Sequence, residues 1–366
     1  MCGRADIDAA ISDLMKRLAA TLLLIISCLI LARFLLVRWF PSYPVYQGHR
    51  LEFWVEESLS VDRLARQRAA KVLNEIGPEA VPFLLRLAQQ KDSVVIEYLR
   101  SIKIGRQILH PPLHSRTDIR KTAARQLGRL GASAHAAASA LIELACNDSE
   151  SLRETALDAL NQVGPEPREA AALAALLDDD SFLVRRLAIE ALVKCGTAAV
   201  PRLAEGLTNL SPRVRLSAAT ALQELGPLAR GAVRALIESL RDRDHDVGVA
   251  AHFALGRIGP DAHAAVPALV GELKNGSDEI RALAVRTLSE LGVAAKPATL
   301  ELIALQKDTD SYIRWRAAYA LGRIGPDARE AIPTLEMMLK DESSEVRNAA
   351  TFALEQIVPQ TSKETK

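Results

Sequence analysis

The sequence predicts an all-α fold: a right-handed α-solenoid of stacked helix pairs, preceded by one N-terminal transmembrane helix. Three observations carry that expectation. A thirteen-residue phrase recurs along the chain, with clean copies at Val247 to Gly259 (VGVAAHFALGRIG) and Ile313 to Gly325 (IRWRAAYALGRIG). Its first apolar residue, position zero, falls at Ala65, Ile119, Leu152, Val184, Val214, Val247, Ile280, Ile313 and Val346, with spacings of 54, 33, 32, 30, 33, 33, 33 and 33. A fixed period in that range marks a repeat array. Within each copy, positions zero, +4, +7, +8 and +11 form the apolar pattern, one face of a helix with a 3.6-residue turn. Near the front, Leu18 to Val37 is apolar apart from Arg33.

Each repeated residue has a local task. In the copy at Val214 the apolar face is Val214, Ala218, Ala221, Leu222 and Leu225. Alanine holds +4 in every copy, where a small side chain lets two helices come close. Position +12 is glycine in eight of nine copies, from Gly77 to Gly325, which fits a helix end in the left-handed region. Proline often follows, as at Pro260 and Pro326, and stops the helix. A second apolar stretch comes next, often with an early proline (Pro82, Pro201, Pro267, Pro297 or Pro333), tolerated in a first helical turn. Each unit therefore reads as helix, tight turn, helix, about nine units in all.

Arginine occupies +1 in eight copies, with Gly248 the exception, and Asp or Asn stands five residues before zero in seven. One reading is a basic ladder for an acidic partner. The favoured reading is structural: an Asp/Asn–Arg ladder that caps helices and ties neighbouring repeats, because the pair travels with the core positions.

The phrase V-R-x-x-A-x-x-A-L-G-x-I-G-P, with A-V-P-x-L in the second helix, resembles the HEAT-like repeat of the phycobilisome-lyase type. The resemblance covers about residues 56–358. With the apolar front, the whole chain resembles membrane-anchored bacterial HEAT repeat proteins. The resemblance implies an armadillo-like helical array; it does not fix a function, because repeat folds host many activities.

The expected organisation is a tail (1–17), a transmembrane anchor (18–38), a linker (39–55), the repeats (56–358, with an insertion at about 94–117) and a tail (359–366). Twenty residues just span a bilayer, and Trp39, Phe40, Tyr43 and Tyr46 follow like an interfacial belt. A cleaved signal starting at Met15 and a lipoprotein with its box at Cys28 are the alternatives weighed. The expected location is the bacterial inner membrane, single-pass, with the repeats on the non-cytoplasmic side. Leu51, Trp54 and Val55 are expected to cap the first repeat.

Net charge is +1, which gives no global drive toward nucleic acid. No nucleic-acid partner is therefore expected. The four cysteines form no C-x-x-C pair, so no zinc site or disulfide framework is implied; Cys195, at +11, reads as a buried free thiol. There is no G-x-S-x-G, phosphate loop or H-E-x-x-H. Deoxyhypusine hydroxylase, a HEAT-like enzyme, binds iron through His-Glu dipeptides, and no His-Glu pair occurs here. No cofactor, metal or catalytic residue is therefore expected. Asp178-Asp179-Asp180 and Asp244-His245-Asp246 read as helix caps.

Two surfaces stand out. Positions +2 and +6 turn from apolar-poor to aromatic toward the C-terminus: Val249, Phe253, Trp315, Tyr319 and Phe352. They form either a partner surface or packing between repeats. A basic stretch around the insertion holds Arg100, Lys103, Arg106, Arg116, Arg120, Lys121, Arg125 and Arg129 against one acid, Asp118, a candidate for lipid phosphate or an acidic partner. The function expected is a non-catalytic, membrane-tethered protein–protein interaction scaffold. The alternatives are an enzyme or accessory subunit of the HEAT-like lyase or oxidoreductase kind, and a peripheral lipid-binding array.

Overall fold

The protein is described by a computed structural model covering residues 45–90 and 115–358. The stretch read as an anchor, residues 18–38, and most of the insertion lie outside the described residues, with Arg100, Lys103 and Arg106. The chain divides into two units, Met1–Trp54 and Val55–Lys366.

In the first unit, strand β1 (Val45–Tyr46) pairs antiparallel with β2 (His49–Arg50). Gln47 and Gly48 between them both take positive φ, 48° and 82°, as a two-residue hairpin turn of the mirror-image type requires. Helix α1 (Leu51–Glu57) follows. The Trp54 indole N–H donates to the Tyr46 carbonyl at 2.8 Å, and Phe53 stacks on His49 with centroids 4.2 Å apart. The sequence predicts a linker here, with Leu51, Trp54 and Val55 as capping residues, and no strand; two-residue strands are too short for alternation to reveal.

The second unit is the repeat array. Its helix pairs are α2 (Arg63–Glu75) with α3 (Val81–Gln89), α4 (Arg116–Arg129) with α5 (Ala138–Asn147), and α6 (Glu150–Val163) with α7 (Ala170–Ala175). Next come α8 (Phe182–Lys194) with α9 (Val200–Gly206), α10 (Pro212–Leu225) with α11 (Val233–Ser239), and α12 (His245–Ile258) with α13 (Val266–Asn275). The last are α14 (Asp278–Leu291) with α15 (Thr299–Ala304), α16 (Ser311–Ile324) with α17 (Ile332–Met338), and α18 (Ser344–Ile357), the final described helix. From α4 to α18 each first helix packs on the first helix of the next pair, and on the second helix before it. That neighbour-only pattern is what a solenoid is.

The +4 alanines, Ala69 through Ala350, are fully buried or within one per cent of it. Glycine at +9 brings helices closer still. A Cβ added to Gly128 or Gly322 would lie 2.9 Å from the Ala159 Cα or 2.8 Å from the Ala353 Cα, so only glycine admits the next helix at that distance. Ile280 is the one position-zero residue left half-buried.

The +12 glycines end the first helices as expected at Gly131, Gly164, Gly196, Gly226, Gly259, Gly292 and Gly325, all with positive φ. Their conformation differs from the expected left-handed helical one. Gly259 sits at φ 74°, ψ −141° and Gly292 at φ 60°, ψ −127°, a region essentially restricted to glycine. Gly77 departs altogether, with φ −90° and extended ψ, because its helix already ends in an extended Ile76. A 3₁₀ segment follows each glycine, and Pro82, Pro201, Pro267 and Pro333 fall in the first turn of the second helix. Pro297 falls earlier, inside the 3₁₀ segment Gly292–Ala298.

These glycines make a paired test. No atom crowds a Cβ at Gly259 or at Gly271, but only Gly259 has positive φ. Gly259→Ala is expected to destabilise by about 1–3 kcal/mol through backbone strain. Gly271→Ala, inside α13, is expected to stabilise by about 0.5–1 kcal/mol. Denaturant titration of both variants checks the opposite signs.

The membrane expectation is corrected. Among the described residues no helix is long and apolar enough to cross a membrane. The longest hold 14 residues, about 21 Å at 1.5 Å per residue, against about 20 apolar residues for a span. Each also exposes a polar face. The single-pass inner-membrane location, and the side assigned to the repeats, are not carried forward.

Candidate functional site

The arginine ladder is resolved by its contacts. Arg215 donates twice to Asp242 of the next repeat, both at 2.8 Å, and Arg314 twice to Asp341, both at 2.9 Å. Arg153 reaches Asp179 and Arg281 reaches Asp308, each at 2.8 Å. The same arginines hold carbonyls of their own loop: Arg215 takes Asn209 and Leu210, and Arg314 takes Asp308 and Thr309. Arg120 uses Asp148 and the Ala88 carbonyl. The ladder ties neighbouring repeats, as expected.

Its capping role is corrected. In five of the seven copies the −5 residue accepts from the backbone N–H two residues on, as Asp242 does from Asp244 and Asn209 from Ser211, whereas Asn147 and Asn275 donate to the Glu143 and Gly271 carbonyls. The helix cap itself sits at −3, on Asp244, Ser277, Asp310 or Ser343. Asp and Asn both serve the turn, but only Asp attracts an arginine. Where the next repeat carries Asn209, Arg185 has no carboxylate and binds only the Asp179 and Asp180 carbonyls. Where it carries Asn275, the arginine position is Gly248. The hydrogen bond from Arg314 holds Asp341 below the usual carboxylate range. Burial pushes Asp242 up, but the bonds from Arg215 and the Asp244 amide bring it below.

The other acidic runs are also spent on structure. Asp178 accepts from the Ser211 hydroxyl at 2.7 Å and Asp180 pairs with Arg213 at 2.8 Å. With Asp179 on Arg153, the triplet ties repeats rather than capping. Asp244 caps α12, while its neighbour His245 reaches Glu279 at 3.1 Å. Among the described residues no cluster of three His, Cys, Asp or Glu could hold a metal. Cys195 is a buried free thiol, pushed up to about 11 by burial first and by the charge of Glu169 second.

The aromatic stripe is half-buried at all five positions, Val249, Phe253, Trp315, Tyr319 and Phe352. Tyr319 stacks on Phe352 of the next repeat with centroids 5.1 Å apart, so that pair serves packing. Phe253 lies under the Arg286 guanidinium, 4.3 Å from its ring centre. Trp315 carries Arg316 at 4.4 Å on its ring and Tyr312 edge-on at 5.5 Å. Arginine on an aromatic face is a cation–π contact, and here it leaves Trp315 and the exposed Tyr312 at the surface.

Of the basic stretch, Arg116 is engaged by Gln90, Lys121 lies 4.0 Å from Asp118, and Arg129 donates to Asn74 at 3.0 Å. Arg120 is buried in its ladder rung. Arg125 has no hydrogen-bond or ion-pair partner among the described residues.

Two buried polar features escaped the sequence reading, and one signal marks both. Position +7 belongs to the apolar face, yet it is Gln126 in one copy and Thr287 in another. Thr287 receives His252 Nδ1 at 3.2 Å, and His252 Nε2 faces Glu272 at 3.4 Å, linking α12, α13 and α14. Burial pushes His252 down to about 4 and Glu272 up to about 7, the latter offset in part by Arg241. Gln126 lines the cleft described below.

The chain spans half or less of the natural structures it is similar to. The karyopherin Kap121p is 15% identical, covering 84% of this chain and 41% of its own, with TM-score 0.51. One such structure holds Kap121p bound to the extreme C-terminus of the protein phosphatase Cdc14p, at the same identity and TM-score. Importin beta is 16% identical over 84% of this chain and 50% of its own, TM-score 0.44. An engineered protein is 22% identical over 72% and 97%, TM-score 0.35. These likenesses concern the fold. No curated protein matches the chain. The HEAT repeats family matches residues 106–193, 175–252, 200–288 and 266–355, well over half of the sequence and in step with the helix pairs, and the chain therefore belongs to the HEAT-repeat family.

Proposed function

We propose that this HEAT-repeat chain is a non-catalytic protein-binding scaffold that meets its partner through the stripe on α12, α16 and α18. The observation that supports it best is Trp315, half-exposed beneath Arg316 and beside exposed Tyr312. Trp, Tyr and Arg dominate interface hot spots, and a rigid aromatic held by its neighbours loses little entropy on binding. Kap121p, of the same fold, is itself bound to a protein terminus. The likeness of the repeat phrase to the phycobilisome-lyase type adds architecture here, without pigment chemistry.

In-cell crosslinking with mass spectrometry tests the proposal, comparing wild type with Trp315→Ala and Trp315→Ala/Tyr319→Ala. The expected result is one specific protein recovered by wild type and lost by Trp315→Ala. Tyr319 also packs on Phe352, so loss confined to the double variant would indicate disturbed packing and count against the surface.

A further inference from the structure

Among the described residues one junction in the array is open. The first helices of all later consecutive repeats pack directly on one another, but α4 leans on α3, and little joins it to α2. The gap lies where the insertion enters the sequence. Two adjoining cavities of about 290 and 250 Å³ occupy it and share Leu73, Gln126 and Arg129 as walls.

The lining is chemically one-sided. Arg66, Arg125 and Arg129 bring three guanidinium groups, and no carboxylate lines either cavity among the described residues. Arg66 is positioned by the Ser60 and Val61 carbonyls through one nitrogen, at 2.7 and 3.0 Å. Arg129 is positioned by Asn74. Arg125 is exposed and has no partner among the described residues.

Two further donors sit deeper. Gln126 and Thr122 are each only 6% exposed, line the cleft, and make no side-chain hydrogen bond among the described residues. Buried amides and hydroxyls are normally satisfied. Gln126 also occupies +7, which is alanine or valine in all the other copies except the Thr287 one. An amide at a core position, unpartnered and facing a cleft, points to a ligand.

We propose that the cleft between α2 and α4 binds an acidic peptide segment, which deepens and rests on the protein-binding reading. Its carboxylates pair with Arg125, Arg66 and Arg129, and its backbone hydrogen-bonds Gln126 and Thr122. An aliphatic side chain lies on the half-buried Leu59 at the rim. Arginine forks match carboxylates two bonds at a time. Three guanidinium groups spread over two adjoining cavities favour an extended chain of carboxylates over a small inorganic anion, which would meet only part of the lining.

The test uses the full chain and a fluorescent peptide of alternating glutamate and leucine, with a glutamine–leucine peptide beside it. Anisotropy is expected to show saturable binding of the acidic peptide only, weakening as salt rises. Arg125→Gln and Gln126→Leu are each expected to weaken it about tenfold, the loss of one charge-assisted or buried hydrogen bond. Arg234→Gln, on exposed α11, is expected to leave it unchanged. Thermal midpoints guard against misfolding, and Arg125 is exposed enough that its variant keeps the wild-type midpoint.

The inference is overturned if the acidic peptide does not bind, if both peptides bind alike, or if Arg125→Gln and Gln126→Leu bind as wild type. Tight binding of inorganic pyrophosphate without peptide binding would overturn it too, in favour of a small-anion site. Failure here with a crosslinked partner still dependent on Trp315 sinks only the cleft. Loss of both sinks the scaffold reading.

Discussion

Arg215→Ala is expected to destabilise the array by about 3–5 kcal/mol, because it strands a buried carboxylate. Arg215 is 4% exposed, and both oxygens of Asp242 bind its guanidinium. The Asn209 and Leu210 carbonyls lose their donor in the same step. Asp242→Asn is expected to cost less, since an amide keeps the turn bond from Asp244 and still accepts from Arg215. Arg185→Ala is the internal control. It removes bonds to the Asp179 and Asp180 carbonyls, which are neutral groups, and a contact over the exposed Phe182 ring, and about 1 kcal/mol is expected. Denaturant midpoints of the three variants check the order. Because repeats couple only to neighbours, hydrogen exchange should also rise first in α10 and α12, on either side of the lost rung.

The second large effect concerns pH. His252 and Glu272 face each other in the core. The Thr287 hydroxyl donates to the Leu283 carbonyl at 2.9 Å, so it accepts from His252 Nδ1–H. Nε2 is then a bare acceptor, and a protonated Glu272 is the donor that suits it. Burial drives both groups to their neutral forms. Glu272 is raised from 4.5 to about 7, so by itself its contribution is full below pH 4.5 and is lost as pH rises through 7. His252 is lowered from 6.5 to about 4, so by itself its contribution is full above pH 6.5 and is lost as pH falls through 4.

Between pH 4.5 and 6.5 the two slopes oppose. Folded and unfolded chains then carry the same number of protons on the pair, one on each side of the equilibrium. Wild type is expected to show no pH dependence from this pair in that window. Glu272→Gln should unmask the histidine, and stability should rise with pH by roughly 1 kcal/mol per unit. His252→Gln should unmask the glutamate, and stability should fall with pH at a similar slope. Arg241 is the charge that acts on Glu272, and Arg241→Gln should carry the second slope to higher pH. Slopes of the same sign in both single variants would contradict the shared-proton arrangement.

The array itself was legible in the sequence because every repeat spends the same residues on the same tasks. Alanine at +4 and glycine at +12 appear in the structure where the phrase puts them. What a single phrase cannot display is a departure that depends on the neighbouring phrase. Gly248 looks like a lost arginine until Asn275, one repeat later, shows that no carboxylate awaits it. The purpose of Gly128 and Gly322 at +9 shows only when the Cα of the next helix is found against them. Gln126 and Thr287 are visible as polar residues at an apolar position, but a histidine of the preceding repeat beside Thr287 and a cleft beside Gln126 are not. The anchor expectation came from the apolar run Leu18–Val37 and the aromatic residues after it, which lie outside the described residues except for Tyr46, and the described helices, each with one buried face, offer no span.

The most direct test of the scaffold is the affinity of the crosslinked partner, titrated calorimetrically into wild type, Trp315→Ala and Arg125→Gln. The account predicts saturable binding to wild type that falls at least about tenfold on Trp315→Ala, with the thermal midpoint unchanged. Affinity unaltered by Trp315→Ala, or heat that never saturates, would contradict it.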